Sequence, residues 1–248
     1  MKKLLVFSLL FVLSTANMKA EGPKSSGFFL SFNYGYAMSM KGDFKAPTGT
    51  DVVASTFNDN VGASPMFGIE FGYAIIPDLK LSLEVGFHND HKMEDDYQAT
   101  LPYFGLTDIH SAAEVSTFYG MLNVVYDIPF ELATIKPFIG AGAGYASTKV
   151  SDQIMRLVPQ APPPGMPAEI LAAYKPATTN SFAWQLQVGL IKKLTNNLDL
   201  SLEYRYQSLG DVSTGTDTYY DITEPKTTEA SKGKFNNHLV ALSFIYNF

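Results

Sequence analysis

Cysteine is absent from the chain, which excludes a disulfide framework, thiolate metal centres, a cysteine nucleophile and a lipidated N-terminal cysteine. Any anchoring must therefore come from the fold. Charge is sparse too, at 17% of 248 residues, and a net charge of −6 sets aside a nucleic-acid partner, whose phosphates lysine and arginine would have to hold. Beyond the N-terminus there is no apolar run long enough for a membrane helix. Yet 46% of the residues are hydrophobic, 13% are aromatic and mean hydropathy is near zero. So much apolar material in short pieces suits alternating strands.

Residues 1–20 read as a secretory signal peptide. Met1-Lys2-Lys3 is a positively charged start, and Leu4 to Leu13 is an apolar stretch too short to span a bilayer. Ala16 and Ala20 both close small-residue cleavage patterns, and the mature start is placed near Glu21. Residues 21–248 are then expected to form one domain.

Strand side chains alternate between two faces, so residues of one parity share a surface. In Phe28 to Met40 the even positions are Phe28, Leu30, Phe32, Tyr34, Tyr36, Met38 and Met40, while Ser31, Asn33, Gly35 and Ser39 lie opposite. Phe67, Ile69, Phe71, Tyr73 and Ile75 oppose Gly68, Glu70, Gly72 and Ala74 up to a turn at Ile76-Pro77-Asp78. Leu79, Leu81, Leu83, Val85 and Phe87 then alternate with Lys80, Ser82, Glu84, Gly86 and His88. The pattern recurs in 115–126, with Asn123 on the polar side, and in 135–146, 182–190, 198–207 and 238–248. The expected fold is an all-β, closed, antiparallel up-and-down transmembrane barrel of about eight strands.

Connections near Pro77, Pro129 and Asn196 are short, whereas those at about 41–64, 89–113, 147–180 and 210–234 are long. Short turns on one rim and long loops on the other are the pattern of an outer-membrane barrel, with both termini in the periplasm and four long loops outside the cell. About eight strands leave an interior that side chains just fill, so the large apolar face must point to lipid and the small and polar face inward. Glu70, Lys80, Glu84, His88, Lys136, Asp199, Glu203 and Arg205 would then converge on the lumen. An internal salt-bridge network of Glu70, Lys80, Glu84, Glu203 and Arg205 is expected, with Arg205 held by Glu70 or Glu84. Tyr34, Tyr36, Tyr73, Trp184, Tyr204, Tyr206, Tyr246 and Phe248 are assigned to an aromatic girdle at the membrane interfaces.

The runs Gly120-Met121-Leu122-Asn123-Val124-Val125-Tyr126-Asp127, Lys136 to Tyr145 and Leu202-Glu203-Tyr204-Arg205-Tyr206, with the terminal Phe248, resemble the OmpA-like surface-antigen barrels of Gram-negative bacteria. The resemblance covers essentially the whole mature chain. It implies a location in the outer membrane, contact with lipid and lipopolysaccharide, and insertion by the barrel-assembly machinery through the C-terminal strand. No peptidoglycan-binding domain is expected after the barrel, which departs from full-length OmpA.

No catalytic, cofactor or metal site is expected. The stretch from His88 to Asp96 carries ligand types for Zn²⁺ or Ca²⁺, but its spacing fits no known loop and charge runs are usually solvated. Asp108-Ile109-His110-Ser111 lacks a nucleophile motif, and Gly140 to Gly144 lies inside a strand with no helix after it. Pro159 to Pro167 stiffens one loop into extended segments. With a generic wall and a filled lumen, function falls to the loops, which points to an envelope protein displaying them for adhesion to a host surface or matrix protein. The alternatives are a narrow passive channel of porin type and, further off, a lipid-modifying enzyme or protease of the outer membrane.

Overall fold

The computed structural model describes residues 27–39, 62–101, 105–130, 135–151, 153–157, 172–213, 215, 217–220, 225–226 and 232–248. The signal-peptide assignment at 1–20 and the proline-rich Pro159 to Pro167 lie outside the described residues. Among the described residues twelve strands follow in chain order: β1 (Phe28–Ser39), β2 (Ser64–Ile76), β3 (Leu79–Leu101), β4 (Gly105–Asp127), β5 (Ile135–Val150), β6 (Gln153–Leu157), β7 (Ala172–Tyr174), β8 (Ala177–Lys193), β9 (Leu198–Ser213), β10 (Asp217–Tyr220), β11 (Pro225–Lys226) and β12 (Lys232–Asn247). The eight long ones, β1, β2, β3, β4, β5, β8, β9 and β12, pair antiparallel in that order. The ring closes where Phe29 meets Asn247. Closure leaves the wall without an unpaired edge, which a sheet surrounded by hydrocarbon requires.

The alternation sorts side chains as parity dictates. Leu83, Leu122, Leu186 and Leu202 are 53–56% exposed on the outer wall, whereas Ser82, Glu84, Asn123, Gln185 and Arg205 are buried inside. An exterior carrying dozens of half-exposed apolar side chains is stable only against lipid.

The lumen departs from the expectation of small and polar filling. Large apolar side chains also point inward: Phe29, Phe138 and Ile191 toward the short-turn end, and Met66, Tyr119, Leu209, Phe235 and Leu239 toward the loop end. Glycines on facing strands make the room. A Cβ on Gly86 would lie 2.2 Å from the Tyr119 ring, one on Gly72 2.2 Å from the Phe29 ring, and one on Gly189 2.6 Å from that of Phe138.

The connection at 89–113 is also corrected. It is no loop, because β3 and β4 stay paired from His91↔Val115 to Leu101↔Gly105, which carries the hairpin about 35 Å along its strands past the closed wall. The sequence from 89 to 113 carries no sustained apolar alternation that would betray a strand. The segments 147–180 and 210–234 likewise contain strand. β6 pairs with the upper part of β4, and β7, β10 and β11 extend that ribbon in turn.

Two register shifts bend the wall at the loop end. Between Ser208 and Asp211, β9 carries one residue more than β12 does between Lys234 and Asn236. Gly210 takes up that extra residue with φ of 84°, a conformation open to glycine. In β3 the pairing jumps from His88↔Thr117 to His91↔Val115, so three steps on one strand match two on the other.

Candidate functional site in the lumen

At mid-height the polar face of five strands meets around one carboxylate. Glu84 on β3 is fully buried. Its Oε1 accepts from Arg205 Nη1 on β9 at 2.5 Å, from Asn33 Nδ2 on β1 at 3.2 Å and from the Tyr119 hydroxyl on β4 at 3.3 Å. Its Oε2 accepts from Asn123 Nδ2 at 3.1 Å and from Gln185 Nε2 on β8 at 3.0 Å. Five donors thus compensate one charge removed from water, the condition under which a buried carboxylate is tolerated.

The second arm of the guanidinium reaches Glu203, with Nη2 to Oε1 at 2.8 Å, and Ser243 on β12 donates to the same oxygen at 2.9 Å. Amides extend the network upward. Gln207 Nε2 donates to Gln185 Oε1 at 2.7 Å, and Gln207 Oε1 lies 3.0 Å from His88 Nε2. In the other direction Gln185 Nε2 also donates to Asn123 Oδ1 at 2.8 Å, and Ser31 donates to Asn33 Oδ1 at 2.8 Å. The result is a continuous band of hydrogen bonds across the barrel. Such a band is rigid because every member is held by at least one other.

Two of the five residues assigned to the salt-bridge network stand apart from Arg205. Glu70 faces Glu84 across the β2–β3 pairing and takes the Ser82 hydroxyl. Lys80 pairs with Asp127 at 2.7 Å, because it is the second residue of β3 and so sits at the short-turn rim, beside the end of β4. Asp199 is also at that rim, where Asn247 Nδ2 donates to it at 2.8 Å. Asn33, Asn123, Gln185 and Gln207 were not singled out from sequence. Inward parity marks them, but only closure brings Asn33, Asn123 and Gln185 to the one partner Glu84, and Gln207 to Gln185 and His88.

The eight outward aromatics are spread over the height of the wall, most of them toward its two ends. Tyr73, Tyr246 and Phe248 lie toward the short-turn rim, with Tyr246 and Phe248 ring to ring at 5.2 Å. Tyr36, Trp184 and Tyr206 lie toward the loops, while Tyr34 and Tyr204 adjoin Asn33 and Arg205 near mid-height. Trp184 and Tyr206 are 5.4 Å apart, and Tyr204 stacks on His238 at 5.7 Å. From His238 to Tyr246 is eight residues of β12, about 20 Å of barrel height at the usual tilt.

Among the described residues no group of three or more His, Asp or Glu side chains is gathered as for a metal ion. The side chains of Asp90 and of Met93 to Asp96 lie outside the described residues. Asp108 and His110 are on the projecting part of β4, above the closed wall.

The model of a family described as outer membrane protein beta-barrel domain matches residues 5–248. Outer membrane protein PagN of Salmonella typhimurium is 23% identical over 185 residues, which are 72% of this chain and 72% of PagN. Among solved structures, Neisserial surface protein A superposes with a TM-score of 0.50 at 12% identity, over 91% of this chain and 100% of that one. OprG from Pseudomonas aeruginosa superposes with a TM-score of 0.51 at 12% identity, over 90% and 96%. At such identities the structural likeness establishes a shared barrel and nothing finer.

Proposed function

As the chain belongs to the outer membrane protein β-barrel family, and so resides in the outer membrane, we propose that it is a non-enzymatic, non-conducting surface protein whose projecting strands contact a host surface or matrix protein. The termini then face the periplasm and the β3–β4 hairpin faces outward. One observation carries the reading. A lumen crossed by the Glu84–Arg205–Glu203 network stands beneath a paired hairpin that continues well beyond the height a membrane requires.

A wall needs only about 10 residues per strand to cross the hydrocarbon, whereas β3 and β4 have 23 each. The surplus is ordered by main-chain pairing, which is what a protein needs to hold recognition side chains at a fixed place. The aromatic groups at the two rims fit a girdle that fixes the barrel's height in the bilayer.

Beads coated with the refolded protein are expected to bind host cells. Replacing 92–114 with a two-residue turn should remove most of that binding while the barrel still folds. Undiminished binding by the shortened barrel, or stepwise single-channel currents from the intact one in planar bilayers, would overturn the proposal.

A further inference from the structure

The loop end of the lumen holds a set of polar atoms that the network leaves out. Among the described residues, Ser64 Oγ, His88 Nδ1, His91 Nε2 and both amide atoms of Asn237 are buried without a hydrogen-bond partner. These four side chains are at most 1% exposed. Pairing brings their strands together, since Met66, two residues from Ser64, is opposite His88, and Asn237 is opposite Gln207, whose amide oxygen meets His88. Buried polar atoms are nearly always satisfied, so a cluster of unsatisfied ones implies an occupant.

The two imidazoles identify its chemistry. Strict alternation would put His88 and His91 on opposite faces of β3, but the extra residue in β3 between them turns both rings inward. Their centroids are 5.8 Å apart. Two imidazoles sharing one ion, each with a metal–nitrogen bond of about 2.0–2.1 Å, have ring centres about 5–6.5 Å apart. Each ring also has its other nitrogen engaged, His88 Nε2 by Gln207 Oε1 at 3.0 Å and His91 Nδ1 by the Gly62 carbonyl at 2.8 Å. An acceptor on one nitrogen fixes the proton there and leaves the second as a lone-pair donor, the arrangement that prepares histidine for a metal. Phe235 and Tyr119 pack edge-on and tilted against the two rings and hold their planes.

We propose that His88 and His91 bind one divalent transition-metal ion of the imidazole-preferring class, Zn²⁺ or Cu²⁺, in the loop-end lumen. The Asn237 carbonyl oxygen and water would complete the coordination. Two protein imidazoles leave open positions, so the bound ion remains able to take a further ligand from the loop side.

The test uses the full barrel, refolded in detergent, freed of metal with chelator and titrated with Zn²⁺ in a calorimeter, and with Cu²⁺ in an electron-spin-resonance tube. One ion per barrel and a nitrogen-coordinated Cu²⁺ spectrum are expected. His88→Gln together with His91→Gln should abolish binding. Gln207→Leu, which removes the anchor of His88 together with one bond to Gln185, should weaken it about 10–100-fold. His238→Ala, on the outer wall, should leave it unchanged. Slower mobility of the unheated protein on a cold detergent gel marks any variant that has failed to fold; for such a variant, oxidation of Cu²⁺-loaded wild type by ascorbate and dissolved oxygen, mapped by mass spectrometry, replaces it. Absence of stoichiometric binding, binding that survives in the folded double variant, or oxidation sites that map away from His88 and His91 would each overturn the assignment.

Discussion

Arg205 is the single cation of the mid-lumen band, and its replacement by methionine measures how much the band matters. The guanidinium is 1% exposed and touches Glu84 at 2.5 Å and Glu203 at 2.8 Å, with both carboxylates at most 5% exposed. Methionine fills much of the same volume but leaves those carboxylates buried without their cation. Removing one member of a buried ion pair costs about 3–5 kcal/mol, chiefly because the remaining charge is stranded. The folded-to-unfolded ratio should therefore fall about 10²- to 10⁴-fold. The cost lies in the stranded charge rather than in a lost attraction. For that reason the triple variant Glu84→Gln, Glu203→Gln, Arg205→Met should recover at least half of the loss. Urea unfolding in lipid vesicles reads this out through Trp184, the chain's one tryptophan, which is 37% exposed on the outer wall and loses its lipid environment on unfolding. A single variant within about 1 kcal/mol of wild type would refute the account. So would a triple variant no more stable than the single one.

Three further substitutions probe the packing and the solvent. Gly144→Ala would place a Cβ 1.9 Å from the Gly120 carbonyl oxygen, a backbone atom that cannot swing aside, and should cost about 1–3 kcal/mol or more. Gly120→Ala meets nothing closer than 3.9 Å and should be near neutral, so equal effects in the same urea titration would contradict the wall geometry. Leu83→Arg, at a side chain 56% exposed on the outer face, should destabilise by about 2–4 kcal/mol in vesicles if that face meets hydrocarbon. A neutral result would mean that the face meets water.

Period-2 alternation determined the fold from the sequence alone, because a membrane wall needs a different solvent on each face and therefore writes its parity into every strand. Phe67 to Ile75 and Leu198 to Gln207 could be assigned outward and inward before any coordinates, and so could Glu84 and Arg205 as lumen residues. Where the sequence carries no such alternation, as in the β3–β4 hairpin, parity is silent and the segment resembles a loop. Parity also tells a residue's face but not its neighbour. That Arg205 reaches Glu84 and Glu203, that Lys80 sits with Asp127, and that glycines lie opposite Tyr119 and Phe29 depend on stagger around the closed ring. The inward turn of His91 lies furthest from the sequence. One extra residue in β3 reverses its parity, and a bulge of that kind is decided by the pairing of two strands rather than by either alone.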